Sequence, residues 1–173
     1  IAQKFNNDFK VDDFFKIPEP LILKEFSRIM SLKDGSKKMS KSDLSDLSRI
    51  NLTDEKDQVL NKIKKAKTDS LPLPANVKEL IDRPEAKNLI SIYSCIANLT
   101  LEDSLQKFSG KNFSELKENL SQILIDNLSP ISSEIKRLLK EKSYLDKILE
   151  DGCKIANNIS SKKIQKIHDI VGF

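Results

Sequence analysis

From residue 53 onward, apolar residues recur every three to four positions, the spacing that places side chains on one face of an α-helix. Val59, Leu60, Ile63 and Ala66 share one such face. Ala86, Leu89, Ile90, Tyr93, Ile96 and Ala97 share a second, and Phe113, Leu116, Leu120, Ile123, Leu124 and Leu128 a third. The first helix is predicted to be capped by Thr53, with Asp54 and Glu55 in its positive first turn. The second is predicted to start at Asp82, with Pro84 early in the first turn. A short helix is expected from Thr100 or Leu101 to near Gly110, and Ser70 to Ala75, with Pro72 and Pro74, reads as a loop. Pro130 is expected to break or kink the third helix. Ile131, Ile135, Leu138 and Leu139 resume the pattern, Leu145, Ile148, Leu149, Cys153 and Ile155 carry it past Gly152, and Ile164, Ile167, Ile170 and Val171 make a final short helix. Helices joined by short loops, without alternating strands, predict an all-α bundle for residues 53 to 173.

The first fifty residues lack that period. The opening Ile1 to Asn6 reads as the last turns of a helix already under way, and the chain starts at Ile rather than Met, so it is read as part of a longer protein. Phe14-Phe15 and Pro18-Glu19-Pro20 follow, the prolines forcing extended geometry before them. Arg28 to Leu32 has the length and apolar content of a short buried strand, and Lys33 to Asp43 follows as a polar loop containing Gly35.

Composition narrows the function. Aromatic residues make up 6% of the 173, so the core must rest on Leu and Ile. The four glycines, at 35, 110, 152 and 172, cannot build a Gly-rich phosphate loop. A net charge of +4 suits a nucleic-acid partner and equally a solvated basic surface. Cys95 and Cys153 lie far apart and His168 is the single histidine, which excludes a zinc site by spacing. The two cysteines are expected to be core thiols in a reducing compartment. No stretch approaches the ~20 apolar residues of a membrane span, and no signal peptide opens the chain, so a cytoplasmic protein is expected.

Candidate chemistry sits in Lys38-Met39-Ser40-Lys41-Ser42. Two ammonium groups three residues apart, with two hydroxyls and many backbone donors between and around them, can wrap a triphosphate. Lysine is a compact point charge suited to phosphate oxygens that move during reaction. Such groups accelerate a reaction only if they bind charge that grows in the transition state. A mobile loop also lets a nucleotide enter before closure. A solvated Lys/Ser linker has the same composition apart from its methionine, one of two in the chain.

The five-residue string is the KMSKS signature of class I aminoacyl-tRNA synthetases. Its surroundings, Phe15 to Pro20, Arg28 to Leu32 and Asp34 to Asp43, resemble tryptophanyl-tRNA synthetases in order and spacing. Lys62 to Ser70 and the ending Ile170-Val171-Gly172-Phe173 look like the same family. Gly35 stands where that family commonly has proline, a change expected to alter loop stiffness without touching the chemistry.

The resemblance implies a mainly α fold. A helical tRNA anticodon-binding bundle (residues 51–173) would be preceded by the C-terminal edge of a Rossmann-like α/β catalytic domain carrying the signature loop (residues 1–50). It implies that Lys38 and Lys41 contact the ATP phosphates, with Lys41 stabilising the pyrophosphate leaving group. Met39 and Ile29 would border the adenine, Ile29 through its backbone, and Ser40 and Ser42 would complete the loop. Mg²⁺ would travel with ATP rather than sit in a protein cage.

The implied reaction activates L-tryptophan with ATP and passes it to tRNA(Trp), in a homodimer when the protein is full-length. Lysine-rich faces fit the tRNA: Lys62, Lys64, Lys65 and Lys67; Lys136, Arg137, Lys140 and Lys142; Lys162, Lys163 and Lys166. Of the aromatics available to stack on bases, Tyr93, Phe108, Phe113 and Tyr144, most are expected in the core. Two other readings are a tyrosyl-type synthetase and a non-catalytic helical RNA-binding module. The second nucleotide motif of class I enzymes and the indole pocket are expected upstream of Ile1. The 173 residues alone are therefore expected to make no aminoacyl-adenylate at a meaningful rate. Robust tryptophan-dependent pyrophosphate exchange by the isolated chain would contradict this.

Overall fold

The computed structural model describes residues 1–22 and 26–173. Its order is α1 (Ala2–Asp8), β1 (Met30–Ser31), β2 (Asp34–Lys38), a 3₁₀ turn (Asp46–Ser48), α2 (Lys56–Lys64), a second 3₁₀ turn (Val77–Leu80), α3 (Pro84–Ala97), α4 (Leu101–Phe108), α5 (Phe113–Lys140) and α6 (Lys142–Val171). The mainly helical fold expected from the periodicity is the fold observed. Two compact units divide the chain: Leu23–Arg137, and Ile1–Ile22 with Leu138–Phe173.

The larger unit owes its core to the faces predicted from sequence. Val59 and Ile63 of α2, Leu89, Ile90 and Tyr93 of α3, Leu105 and Phe108 of α4, and Leu116, Leu120 and Leu124 of α5 are buried together with Leu32. Each buried Leu, Ile or Phe contributes about 1.5–3 kcal/mol relative to exposure. Tyr93 and Phe108 meet edge to face at 4.9 Å, and Lys107 Nζ donates to the Tyr93 hydroxyl at 2.6 Å, so that burial leaves no orphan polar tip. Small buried hydroxyls let α3 and α4 approach: Ser94 Oγ donates to Ser104 Oγ at 2.7 Å.

Helix boundaries depart from expectation in four places. The first helix starts after Glu55, not Thr53, because Asp54 is committed elsewhere: it accepts from the Asn51 N–H at 2.9 Å and from Lys62 Nζ at 2.6 Å. The backbone N–H of Glu55 is instead satisfied by the Gln58 side chain. The second starts after Arg83 rather than at Asp82, with Pro84 leading. Pro130 does not break α5, which runs unbroken for 28 residues. Its ring lies on an exposed face, while Leu124 and Ser132 on either side are buried and hold the helix together. The predicted short final helix is likewise absorbed into the 30-residue α6, which runs past Gly152 as the pattern predicts. Cys95 and Cys153 are both exposed, not core thiols: Cys95 lies on the side of α3 away from its buried residues, and α6, which carries Cys153, has no buried residue.

In the smaller unit, Phe5, Phe9, Phe14 and Phe15 form one aromatic cluster, with ring centroids 4.7–5.6 Å apart. Asn6 ties it by hydrogen bonds with both backbone groups of Phe15, at 2.8 and 3.0 Å. Lys163 of α6 sits 3.6 Å from the Phe14 ring centre.

The hairpin belongs to the larger unit. β1 and β2 pair antiparallel, with Met30 opposite Lys38 and Ser31 opposite Asp34, the register broken by a bulge between Met30 and Ser31. Gly35 sits where β2 crosses the start of α3. A Cβ there would lie 2.5–2.6 Å from backbone atoms of Pro84 and Glu85. The glycine is thus a close-approach residue, not the loop-stiffness position expected from sequence. Gly35→Ala should destabilise the chain by about 1–3 kcal/mol through overpacking. Gly152→Ala, in open space within α6, should stabilise its unit by about 0.5–1 kcal/mol. Urea unfolding of the two variants would check this pair of opposite signs.

Candidate functional site

A two-residue strand cannot hold itself in place. Met30 and Ser31 are fixed by Asn88, a buried polar residue of α3. Its Oδ1 accepts from the Met30 N–H at 2.9 Å, and its Nδ2 donates to the carbonyls of Met30 at 2.9 Å and Ser31 at 3.3 Å. The next residue, Leu32, is buried and bonded on both sides. Its N–H donates to the Ser48 carbonyl at 2.9 Å, and its carbonyl accepts from the Lys67 N–H at 2.7 Å. Glu85 accepts from Lys67 Nζ at 2.8 Å, and that ammonium, aided by the Gly35 amide, holds its carboxyl below the usual glutamate range.

From this base β2 runs out to the candidate residues. Met39 is half-buried and packs against the core, and its N–H donates to the Ile29 carbonyl at 3.1 Å. The backbone of Ile29, expected to face a ligand, is therefore also a rung of the hairpin. Ser40 and Ser42 turn the chain: their hydroxyls are 3.0 Å apart, and the Ser42 N–H donates to Ser40 Oγ at 3.3 Å. Lys38 and Lys41 are exposed and form no ion pair among the described residues. Lys37, by contrast, lies 3.4 Å from Asp34.

Ile29, Lys38, Met39, Ser40 and Lys41 line one cleft of about 500 Å³, together with Arg28, Arg49, Ile50 and neighbouring residues. Ser42 is bonded to Ser40 at the edge of this group. Its lining joins the apolar side chains of Ile29, Met39 and Ile50 to the cations Arg28, Lys38, Lys41 and Arg49. That combination suits a planar heterocycle carrying anionic groups.

Beyond the turn the chain is held by charge. Arg49 donates to the Asp43 carbonyl at 3.0 Å and to Asn51 Oδ1 at 3.2 Å, and pairs with Asp46 at 3.0 Å. Asp46 also meets Lys62 Nζ at 2.7 Å. Hydrogen bonds from Lys62 and Asn51 keep its carboxyl below the usual aspartate range. Sequence reasoning assigned Lys62 to a tRNA-facing surface; its side chain is 3% exposed and faces inward. Lys67, from the same proposed face, pairs with Glu85, Lys136 with Glu55, and Lys163 donates to the Phe14 carbonyl. Asn88, Arg49 and Asp46 were not singled out from sequence. Asn88 carried a signal, a polar residue between apolar ones on a helix face that is otherwise buried.

Residues 1–129 match the family described as tRNA synthetases class I (W and Y). The chain is 45% identical to the tryptophan–tRNA ligase of Brucella melitensis, over all of this chain and 54% of that protein. It is 43% identical to the tryptophan–tRNA ligase of Caulobacter vibrioides, over all of this chain and 50% of that one. The chain thus spans about half the length of the curated relatives it matches. The crystal structure of the tryptophanyl-tRNA synthetase from Mycoplasma pneumoniae superposes with a TM-score of 0.80 at 26% identity, covering 99% of this chain and 51% of that one. Among the described residues, no helix is long and apolar enough to cross a membrane.

The lowered Glu85 gives a pH test of the hairpin's footing. A carboxyl depressed in the folded state contributes stability above its unfolded value, and loses it as pH falls through the folded one. The difference in urea midpoint between parent and Glu85→Gln should therefore be present near pH ~7 and vanish in acid below the ordinary carboxylate range.

Proposed function

The chain belongs to the class I tRNA synthetases of the W and Y type, and from that membership we propose that it is the C-terminal part of a tryptophan–tRNA ligase. Residues 1–50 end the catalytic domain and present the ATP loop, and residues 51–173 form the helical tRNA-binding domain. The full protein acts in the cytoplasm as a homodimer. The observation that carries this reading is the signature loop itself. Its two lysines stand exposed and, among the described residues, without ion pairs, lining a cleft with Met39 and Ile50, in a chain matched along its whole length by tryptophan–tRNA ligases.

In the first step a carboxylate oxygen of L-tryptophan attacks the α-phosphorus of ATP. The bond from that phosphorus to the bridging oxygen breaks, and pyrophosphate leaves with the electron pair. Negative charge grows on the departing oxygens, and Lys38 and Lys41 bind it there more tightly than in the ground state, with Lys41 nearer the leaving group. Because, among the described residues, neither ammonium is committed to a carboxylate, neither must break such a pair before it engages. Adenine packs against Met39 and the backbone of Ile29, and Ser40 and Ser42 keep the turn that separates the two lysines. Mg²⁺ enters with ATP as part of the substrate, bound through phosphate oxygens and its own waters.

In the second step the activated acyl group passes to a hydroxyl of the 3′-terminal ribose of tRNA(Trp), releasing AMP. Exposed cations such as Lys64, Lys65, Lys140, Lys162 and Lys166 are left for phosphate contacts, which would make tRNA binding fall with salt.

In the full-length gene product, Lys41→Ala should lower tryptophan-dependent pyrophosphate exchange by about 10²–10³-fold, as loss of other anion-stabilising groups does. A rate near the parent's with tRNA binding retained would instead mean a non-catalytic RNA-binding module, and exchange driven by tyrosine would mean the tyrosine enzyme.

A further inference from the structure

Between Ser40 and Asp46 the chain has no buried apolar side chain, and Leu44 is fully exposed. Something other than packing must fix where the signature loop ends. Lys62 supplies it from α2, flanked in the core by Val59 and Ile63. Its ammonium is buried and doubly paired, 2.6 Å from Asp54 and 2.7 Å from Asp46. Asp46 also accepts from Asn51 Nδ2 at 3.0 Å and pairs with Arg49, whose other nitrogen holds the Asp43 carbonyl. A line of charge-assisted contacts thus runs from the helical core to the backbone two residues past Lys41. On the other side, Met39 is pinned to the Ile29 carbonyl.

We propose that Lys62 and Asp46 are positioning residues for the aminoacyl-adenylate step, setting the backbone root from which Lys41 reaches the nucleotide phosphates. This rests on the functional reading above and deepens it. The lysine stem is flexible, so the reach of its ammonium is decided by where its Cα is held. A root free to wander lowers the fraction of time the charge stands at the leaving group. Well-packed apolar residues could match the stability of such a buried ion pair. What they could not do is grip a polar, solvent-facing segment and transmit its position through Arg49 to a single carbonyl.

The test is a double-mutant cycle in the full-length gene product. Asp46→Asn keeps size and shape at a half-exposed position, so folding should survive; Lys62→Met removes the other end. Each should lower kcat/KM for ATP in pyrophosphate exchange by about 10- to 100-fold, with KM for tryptophan unmoved. In a Lys41→Ala background Asp46→Asn should cost less than about two-fold, since the group it positions is gone. Hydrogen exchange supplies a readout independent of activity. Amides of Lys41 to Ser45 should exchange faster in Asp46→Asn, while those of α3 and α5 stay as in the parent. Losses that multiply in the double variant, or a matching rise in KM for tryptophan, overturn the catalytic link, and unaltered loop exchange overturns the positioning itself. A parent with no amino-acid-dependent exchange overturns the functional reading and the catalytic link with it, while loop exchange still decides whether the network holds the backbone.

Discussion

Asn88 holds three backbone groups of a two-residue strand from inside a helix. The cleft and its loop depend on that clamp. Strand residues normally satisfy their amides and carbonyls by pairing on both sides, but β1 has one partner strand among the described residues. Its other edge would be buried against α3 with unmet polar groups, each costing about 1–3 kcal/mol. One amide side chain with a donor and an acceptor replaces the missing neighbour. The same helix brings Glu85 to Lys67 and leaves room only for a hydrogen at Gly35. The hairpin is therefore seated on the first turns of α3, and everything that β2 carries outward inherits that position.

The helices were legible in the sequence because their cores are repetitive. Leu116, Leu120 and Leu124 bury as their spacing says they should, and Thr100 caps α4 through the Asp103 N–H at 3.1 Å. Errors arose where one residue serves two masters. Thr53 has the chemistry of a cap, yet Asp54 is drawn to Lys62 and the helix waits until Glu55 has left that turn. Pro130 ought to disrupt α5, and locally it removes one hydrogen bond. The buried residues on both sides outweigh that loss, a tertiary effect that no local propensity contains. The hairpin was half visible: Met30-Ser31 read as a strand, while Asp34 to Lys38 read as loop because its side chains are polar and mostly exposed, with no alternation to mark it.

The candidate site was legible in a different way. Lys38 to Ser42 stood out as a string, and the residues named from it line one cleft or border it. Its supports did not stand out, because they are ordinary residues whose meaning lies in long-range pairing: Asn88 lies 58 residues from Met30. Gly35 is the clearest case. Read along the chain it is a flexible loop residue; in three dimensions it is a packing requirement.

The lysines show why charge along a sequence says little until burial sorts it. Lys62 is an internal strut between two aspartates. Lys117 donates to the carbonyls of Lys64 and Ala66 at the C-terminal end of α2, where the helix dipole favours a cation, and its burial lowers its pKa. Lys163 lies over a phenylalanine ring. Each has exchanged water for a fixed partner, so its charge is already spent inside the protein. Among the described residues, Lys38 and Lys41 have not made that exchange. An ammonium that keeps its water and its freedom costs the fold nothing and holds its electrostatic energy in reserve for a ligand. The backbone on either side of Lys41 is bonded to the scaffold, Met39 to the Ile29 carbonyl and the Asp43 carbonyl to Arg49. The basic character of this chain is thus divided between cations that build the scaffold and cations that the scaffold holds out to solvent.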